Sequence, residues 1–217
     1  MMKWAFDIID KLFGETIKYE TDRIYLPIFF TTTLCMTTVF FFDHVTFNLF
    51  GEPLHFSVGL VVFPLTFTLS NIIQDRHGRL FTNTVVRYAF LADCIFVFCG
   101  YALTYIGNRE DYFSVFSEIP VIMLSTFFFV WLSNTINIVT FSFLQKKKVN
   151  DFAKYSVAAI FAESSVSMIS IPLMMYKNNL SGGALVSVAV VVFYKIAVTL
   201  LLSFIVSLQS YLRNLHQ

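Results

Sequence analysis

The sequence predicts an all-α fold, an integral membrane bundle of six transmembrane helices with both termini in the cytoplasm. Three observations predict it. Of the 217 residues, 57% are hydrophobic and only 13% charged, about half the charge of an ordinary globular chain, so most of the surface cannot face water. Six predominantly apolar runs approach the ~20 residues that a helix needs to cross a ~30 Å hydrocarbon core. Lys and Arg then divide 12 to 2 between alternate connections, and cations near helix ends are held on the cytoplasmic side.

Residues 1–23 precede the first run. Trp4, Ile8 and Leu12 recur at four-residue steps beside Ala5, Ile9, Phe13 and Ile17, with Asp7, Asp10, Lys11, Glu15 and Lys18 elsewhere, the pattern of an amphipathic helix lying on the cytoplasmic interface. Asp7 and Asp10 interrupt any signal-peptide core. The spans themselves are expected at 24–42, 56–73, 85–106, 119–144, 155–176 and 183 to about 212, which makes residues 24–212 one transmembrane domain and 213–217 a cytoplasmic tail. The second is the shortest and carries Pro64 mid-span, where a missing N–H and a crowded ring predict a bend. No run alternates apolar with polar residues, which excludes a β-barrel.

The basic connections are the N-terminal segment (Lys3, Lys11, Lys18, Arg23), the second connection with its flank (Arg76, Arg79, Arg87), the fourth (Lys146, Lys147, Lys148, Lys154) and Arg213 in the tail. Opposite them stand only Arg109 and Lys177, and Lys195 lies within a span. An even number of spans follows without reference to hydropathy.

Ionisable side chains inside the bilayer cost at least ~2.5 to 3.5 kcal/mol on insertion scales, so each calls for a partner, a wet cavity or a function. Asp93, Glu163 and Lys195 are the three. Ser156, Ala159, Glu163, Ser167 and Ser170 form a small, polar stripe on one helical face of the fifth span, as Pro64, Thr68, Asn71 and Asp75 do on the second. The fourth span adds Ser133, Asn134 and Asn137. A cavity lined by these groups would suit a planar heterocycle better than a bare ion. Each also has a plainer reading: small residues pack helices closely, Asn134 and Asn137 bridge helices, Glu163 and Lys195 neutralise each other, and Asp93 snorkels or pairs with Arg87.

Several functions are excluded outright. A formal net charge of +1 leaves no nucleic-acid footprint, and Cys35, Cys94 and Cys99 have neither disulfide nor zinc spacing. His44, His55, His77 and His216 have no ligand spacing either, so no metal site and no cofactor is expected. Zinc-protease, nucleophile-elbow, Walker A and dinucleotide motifs are absent, which argues against an enzyme and leaves no catalytic residue to name.

The stretch from Phe63 to Gly78, FPLTFTLSNIIQDRHG, resembles the second-span signature of the queuosine precursor transporter family, also called the vitamin uptake transporter family. These are six-span proteins of the bacterial plasma (inner) membrane. Pro64 and Gly78 match, Asp75 falls on an acidic position, and Asn71 stands where Asp is usual. Ala162-Glu163 with Pro172 resembles a later Gly-Glu segment, and Phe193-Tyr194-Lys195 its last-span Lys. The likeness runs from about residue 25 to 212. The chain departs from the pattern at Asn71, Asn137, Val166 and Val191, where similar proteins often keep carboxylates.

The resemblance implies import of a 7-deazaguanine-type base, with Glu163, Lys195, Asn71, Asp75, Asn134 and Asn137 as substrate-binding residues and the bilayer and a purine-like small molecule as partners. A carboxylate accepts bidentately from the base's N1–H and 2-amino donors, and an ammonium or amide donates to O6. A homodimer is left open, as is the choice of precursor. Two other readings stand beside it: a different small heterocycle, or the substrate-binding subunit of an energy-coupling vitamin transporter. Such subunits dock through an Ala-x-x-x-Ala pattern, whereas residues 24–42 contain no Ala.

Overall fold

The computed structural model describes residues 18–40, 44–49, 52–107, 110–177 and 184–215; the amphipathic reading of residues 1–17 lies outside them. Among the described residues five helices carry the fold: α1 (Lys18–Val39), α2 (Gly59–Ile106), α3 (Glu110–Lys146), α4 (Asp151–Lys177) and α5 (Ala184–Leu215). An antiparallel hairpin, β1 (His44–Leu49) paired with β2 (Glu52–Ser57), joins α1 to α2. Polar His44, Thr46 and Asn48 alternate there with Val45, Phe47 and Leu49, the two-residue period of a strand. It was expected as loop, and it adds to the helical bundle without changing its class.

α2 is 48 residues long, about 72 Å if straight, more than twice a hydrocarbon core. It folds back instead. The one non-helical residue within it is Gly78, at φ 81 and ψ 168, a region open essentially only to glycine. Three contacts fix the consequence. Gly59 N–H donates to the Phe40 carbonyl at one end of α1, Arg76 pairs with Asp22 at the other, and Asp93 accepts from Thr38 back at the first end. Segments 59–77 and 79–106 therefore run antiparallel, like two spans with a one-residue joint. The expected connection over 74–84 is accordingly helical on both sides of Gly78.

Backbone angles stay helical through Pro64, and the reversal falls at Gly78, within the connection expected over 74–84. The Thr66 hydroxyl donates to the Phe63 carbonyl and the Thr68 hydroxyl to that of Pro64 itself, which keeps both buried hydroxyls bonded.

α3 turns into α4 through four residues, with Lys148 left-handed at φ 53 and Asn150 Oδ1 accepting from Ala153 N–H as the helix cap. Arg76, Lys146 and Lys154, from the connections expected to be cytoplasmic, lie at this end of the bundle. Three described stretches are long and apolar enough to cross a membrane: Val61–Ile106, Phe128–Lys146 and Ala189–Leu208. α1 is more polar, but Thr31, Thr33, Thr37 and Thr38 each donate to the carbonyl four residues back, which makes its hydroxyls compatible with hydrocarbon.

The core is dominated by aromatic and aliphatic contacts between helices. Phe30 and Leu34 of α1 meet Ile73, Val85, Val86 and Phe90 of α2; Phe63 and Phe67 meet Ala159 and Ala162 of α4. Those two alanines, of which Ala159 is on the small stripe read from the sequence, let the aromatic rings approach the α4 backbone closely.

Candidate functional site

Five of the six candidate residues are buried, and Asp75 is partly so. They form a column at three depths along segment 59–77, α3, α4 and α5.

The upper level holds Glu163 and Lys195. Lys195 Nζ donates to Ser167 Oγ at 2.9 Å and stands 4.8 Å from the Phe63 ring centroid, a cation–π contact in a dry setting. Glu163 Oε1 accepts from Thr199 at 3.3 Å. The two charges are neighbours without an ion pair at contact distance, since the pairs among described residues lie elsewhere. Glu163 Oε2 is buried with no hydrogen-bond partner. A narrow crevice between α4 and α5, closed too tightly to admit a water molecule, is lined by Ile160, Glu163, Ser164, Ser167, Val192, Lys195 and Ile196.

The middle level lies about 12 Å along α4, eight residues toward its start. Here Asn137 Nδ2 donates to Asn71 Oδ1 at 2.8 Å, and Asn71 Nδ2 donates to the Tyr155 carbonyl at 3.4 Å. Gln74 Nε2 donates to the Ile138 carbonyl and to Ser142 Oγ. Asn134, almost one turn above Asn137, donates to its own helix at Val130. Unpartnered oxygens remain at Asn134 Oδ1, Asn137 Oδ1 and Gln74 Oε1, so this interior presents several acceptors without matching donors.

The lower level closes the column. Asp75 Oδ1 takes Lys154 Nζ at 2.7 Å and Oδ2 takes the Tyr155 hydroxyl at 3.3 Å, while Lys154 also reaches Asp151 at 3.1 Å. Burial lowers the Lys154 pKa, but the hydrogen bonds and charges of Asp75 and Asp151 outweigh it and hold the ammonium above its ordinary value. Both Asp75 oxygens are thus engaged in fastening segment 59–77 to α4.

The candidates therefore do not line one open chamber. Glu163 and Lys195 share a level, Asn71 and Asn137 touch each other, and Asp75 belongs to the ion cluster below. Sequence reading missed Gln74, Thr199, Ser142, Tyr155 and the role of Lys154. Two of these had a helical signal: Gln74 follows Asn71 by three residues and Thr199 follows Lys195 by four. The expected Asp93–Arg87 pairing is not formed: Arg87 is exposed, and Asp93 binds Thr38. Ser170, Pro172 and Val166 have side chains outside the described residues, whereas Val191 is buried. No group of three or more His, Cys, Asp or Glu able to hold a metal occurs among the described residues.

Residues 57–209 match the family described as "Putative vitamin uptake transporter". No curated protein and no solved structure matches the chain. The family match spans more than two thirds of the sequence and contains every residue of the column and the glycine joint. It is a transporter family and not one of enzymes, in keeping with a multi-pass membrane bundle that buries polar residues among its apolar contacts. The chain belongs to the vitamin uptake transporter family.

Proposed function

We propose that the chain imports a queuosine precursor, a 7-deazaguanine-type base, across the bacterial plasma (inner) membrane, as a six-span protein with both termini in the cytoplasm. The observation that carries the substrate class is the unpartnered Glu163 Oε2 beside Lys195. An orphaned buried carboxylate oxygen is costly, and a ligand offering two adjacent N–H donors satisfies it.

In this reading Glu163 takes the base's N1–H and 2-amino group. Lys195 swings from Ser167, or Asn134 turns from Val130, to donate to O6. Phe63 and Phe67, themselves edge to face at 5.1 Å, supply rings for the bicycle to stack on. Asn71 and Asn137 hold the middle of the path, and the Asp75–Lys154 cluster closes its cytoplasmic end. Loss of carboxylates at Asn71 and Asn137, relative to similar proteins, favours a neutral base over a cationic one, because an amide pair supplies no counter-charge. Alternating access then follows from segments 59–77 and 79–106 moving about Gly78 relative to α4 and α5.

The test is uptake in cells unable to make the precursor, read as queuosine in tRNA, with each candidate base supplied separately. Queuosine appearing with one base identifies the cargo. Queuosine absent with every base, from protein shown to be in the membrane, removes the substrate assignment while leaving family membership in place.

A further inference from the structure

Asp93 belongs to none of these three levels. It lies in segment 79–106, on the face that α2 turns to α1, and is 2% exposed. Thr38 Oγ1 donates to Oδ2 at 2.8 Å, and Oδ1 has no partner. The other titratable groups facing it are thiols, Cys35 from α1 and the adjacent Cys94 on its own helix. No Lys, Arg or His among the described residues pairs with it.

A structural role does not require a carboxyl here. Asparagine would accept the same Thr38 bond and could never carry charge. An ionised carboxylate with one hydroxyl donor, one weak thiol donor and no cation is strongly disfavoured in hydrocarbon, which favours a proton on the sealed side chain. Thr38 is the penultimate residue of α1, at the end of the bundle bearing the β1–β2 hairpin, which charge asymmetry puts outside. Water entering between α1 and segment 79–106 reaches Asp93 first from that side.

We propose that Asp93 is a proton-binding site that couples inward proton movement to transport. The carboxylate takes one proton from outside water and becomes neutral as α1 and segment 79–106 close over it. It returns to carboxylate by releasing that proton inward when the helices part during the transport cycle. One proton is bound and one released, and no other reactant is involved. The inference rests on the chain being a transporter, and not on which base it carries.

The full chain in liposomes tests it in two ways. Infrared difference spectra between acid and alkaline buffer should contain a protonated-carboxyl C=O band that Asp93→Asn removes. Thr38→Val should keep that band and displace its pH midpoint by about one unit. An inward proton gradient should accumulate a labelled 7-deazaguanine more than tenfold in wild type, whereas Asp93→Asn should exchange it at equilibrium without accumulating it. If that base is not carried, the infrared arm still decides the site. A carboxyl band untouched by Asp93→Asn, or gradient-driven accumulation preserved in that variant, would overturn the proposal. Should Asp93→Asn fail to fold, an unchanged midpoint in Thr38→Val would overturn it equally.

Discussion

Replacing Glu163 with Gln separates a binding role from a structural one. In the structure Oε1 already accepts from Thr199 while Oε2 is free, and Lys195 is held by Ser167 and Phe63 without touching the carboxylate. Gln keeps the shape and the Thr199 acceptor. Stability should therefore fall by less than about 2 kcal/mol, short of the ~3 to 5 kcal/mol expected when a contact pair in the interior is broken. Binding should suffer far more. The amide NH₂ would face the donors of the base, and losing a desolvated charge-assisted pair costs about 2 to 5 kcal/mol, roughly 30-fold to several-thousand-fold in affinity. Thermal unfolding in detergent, run beside uptake of a labelled 7-deazaguanine, reads both quantities. A collapse in stability that Glu163→Gln/Lys195→Met reverses would show that the two charges serve each other and refute the argument. So would full uptake by the single variant.

The remaining predictions test other parts of the bundle. Gly78→Ala should destabilise by about 1 to 3 kcal/mol although nothing lies within 4 Å of its Cβ, because the strain is in the backbone at φ 81; an unchanged unfolding midpoint would mean the joint is not rigidly set. Asn71→Asp, which restores the acid usual in similar proteins, should lower the unfolding midpoint, since a carboxylate oxygen would replace the amide that donates to the Tyr155 carbonyl; stabilisation would show that this pairing is expendable. Because the folded Lys154 pKa is raised, its stabilising contribution is complete below the ordinary value of 10.5 and lost as pH rises through the folded value. Asp75→Asn should weaken the protein at neutral pH and flatten that alkaline loss, and unfolding curves across pH would reveal a loss that persists. Finally, a cysteine placed between residues 43 and 55, in a background without the native thiols, should label from outside intact cells; labelling only after permeabilisation would invert the topology.

Composition, apolar run length and charge asymmetry determined the class of this protein and its order of helices. Those properties depend on transfer between water and hydrocarbon, which each segment satisfies by itself. Helical periodicity marked Asn71 and Glu163 as inward-facing, polarity within an apolar span singled out Asn134, Asn137 and Lys195, and all five are buried. Partnership lay beyond sequence reading. Asp75 fastens Lys154, 79 residues away, and Asn71 meets Asn137 across 66 residues; such pairs depend on which helices neighbour one another and at what depth. The same holds for Asp93. Its sequence neighbour Arg87 pointed to an ion pair along one helix, but packing against α1 brings Thr38 instead and leaves the carboxyl without a cation. The turn between the second and third helical segments was expected over 74–84, but its reduction to a single residue came from three-dimensional packing. Pro64 carries the stronger local signal for a bend, yet the Gly59–Phe40, Arg76–Asp22 and Thr38–Asp93 contacts demand a reversal one residue wide, and only the backbone of Gly78 can make it.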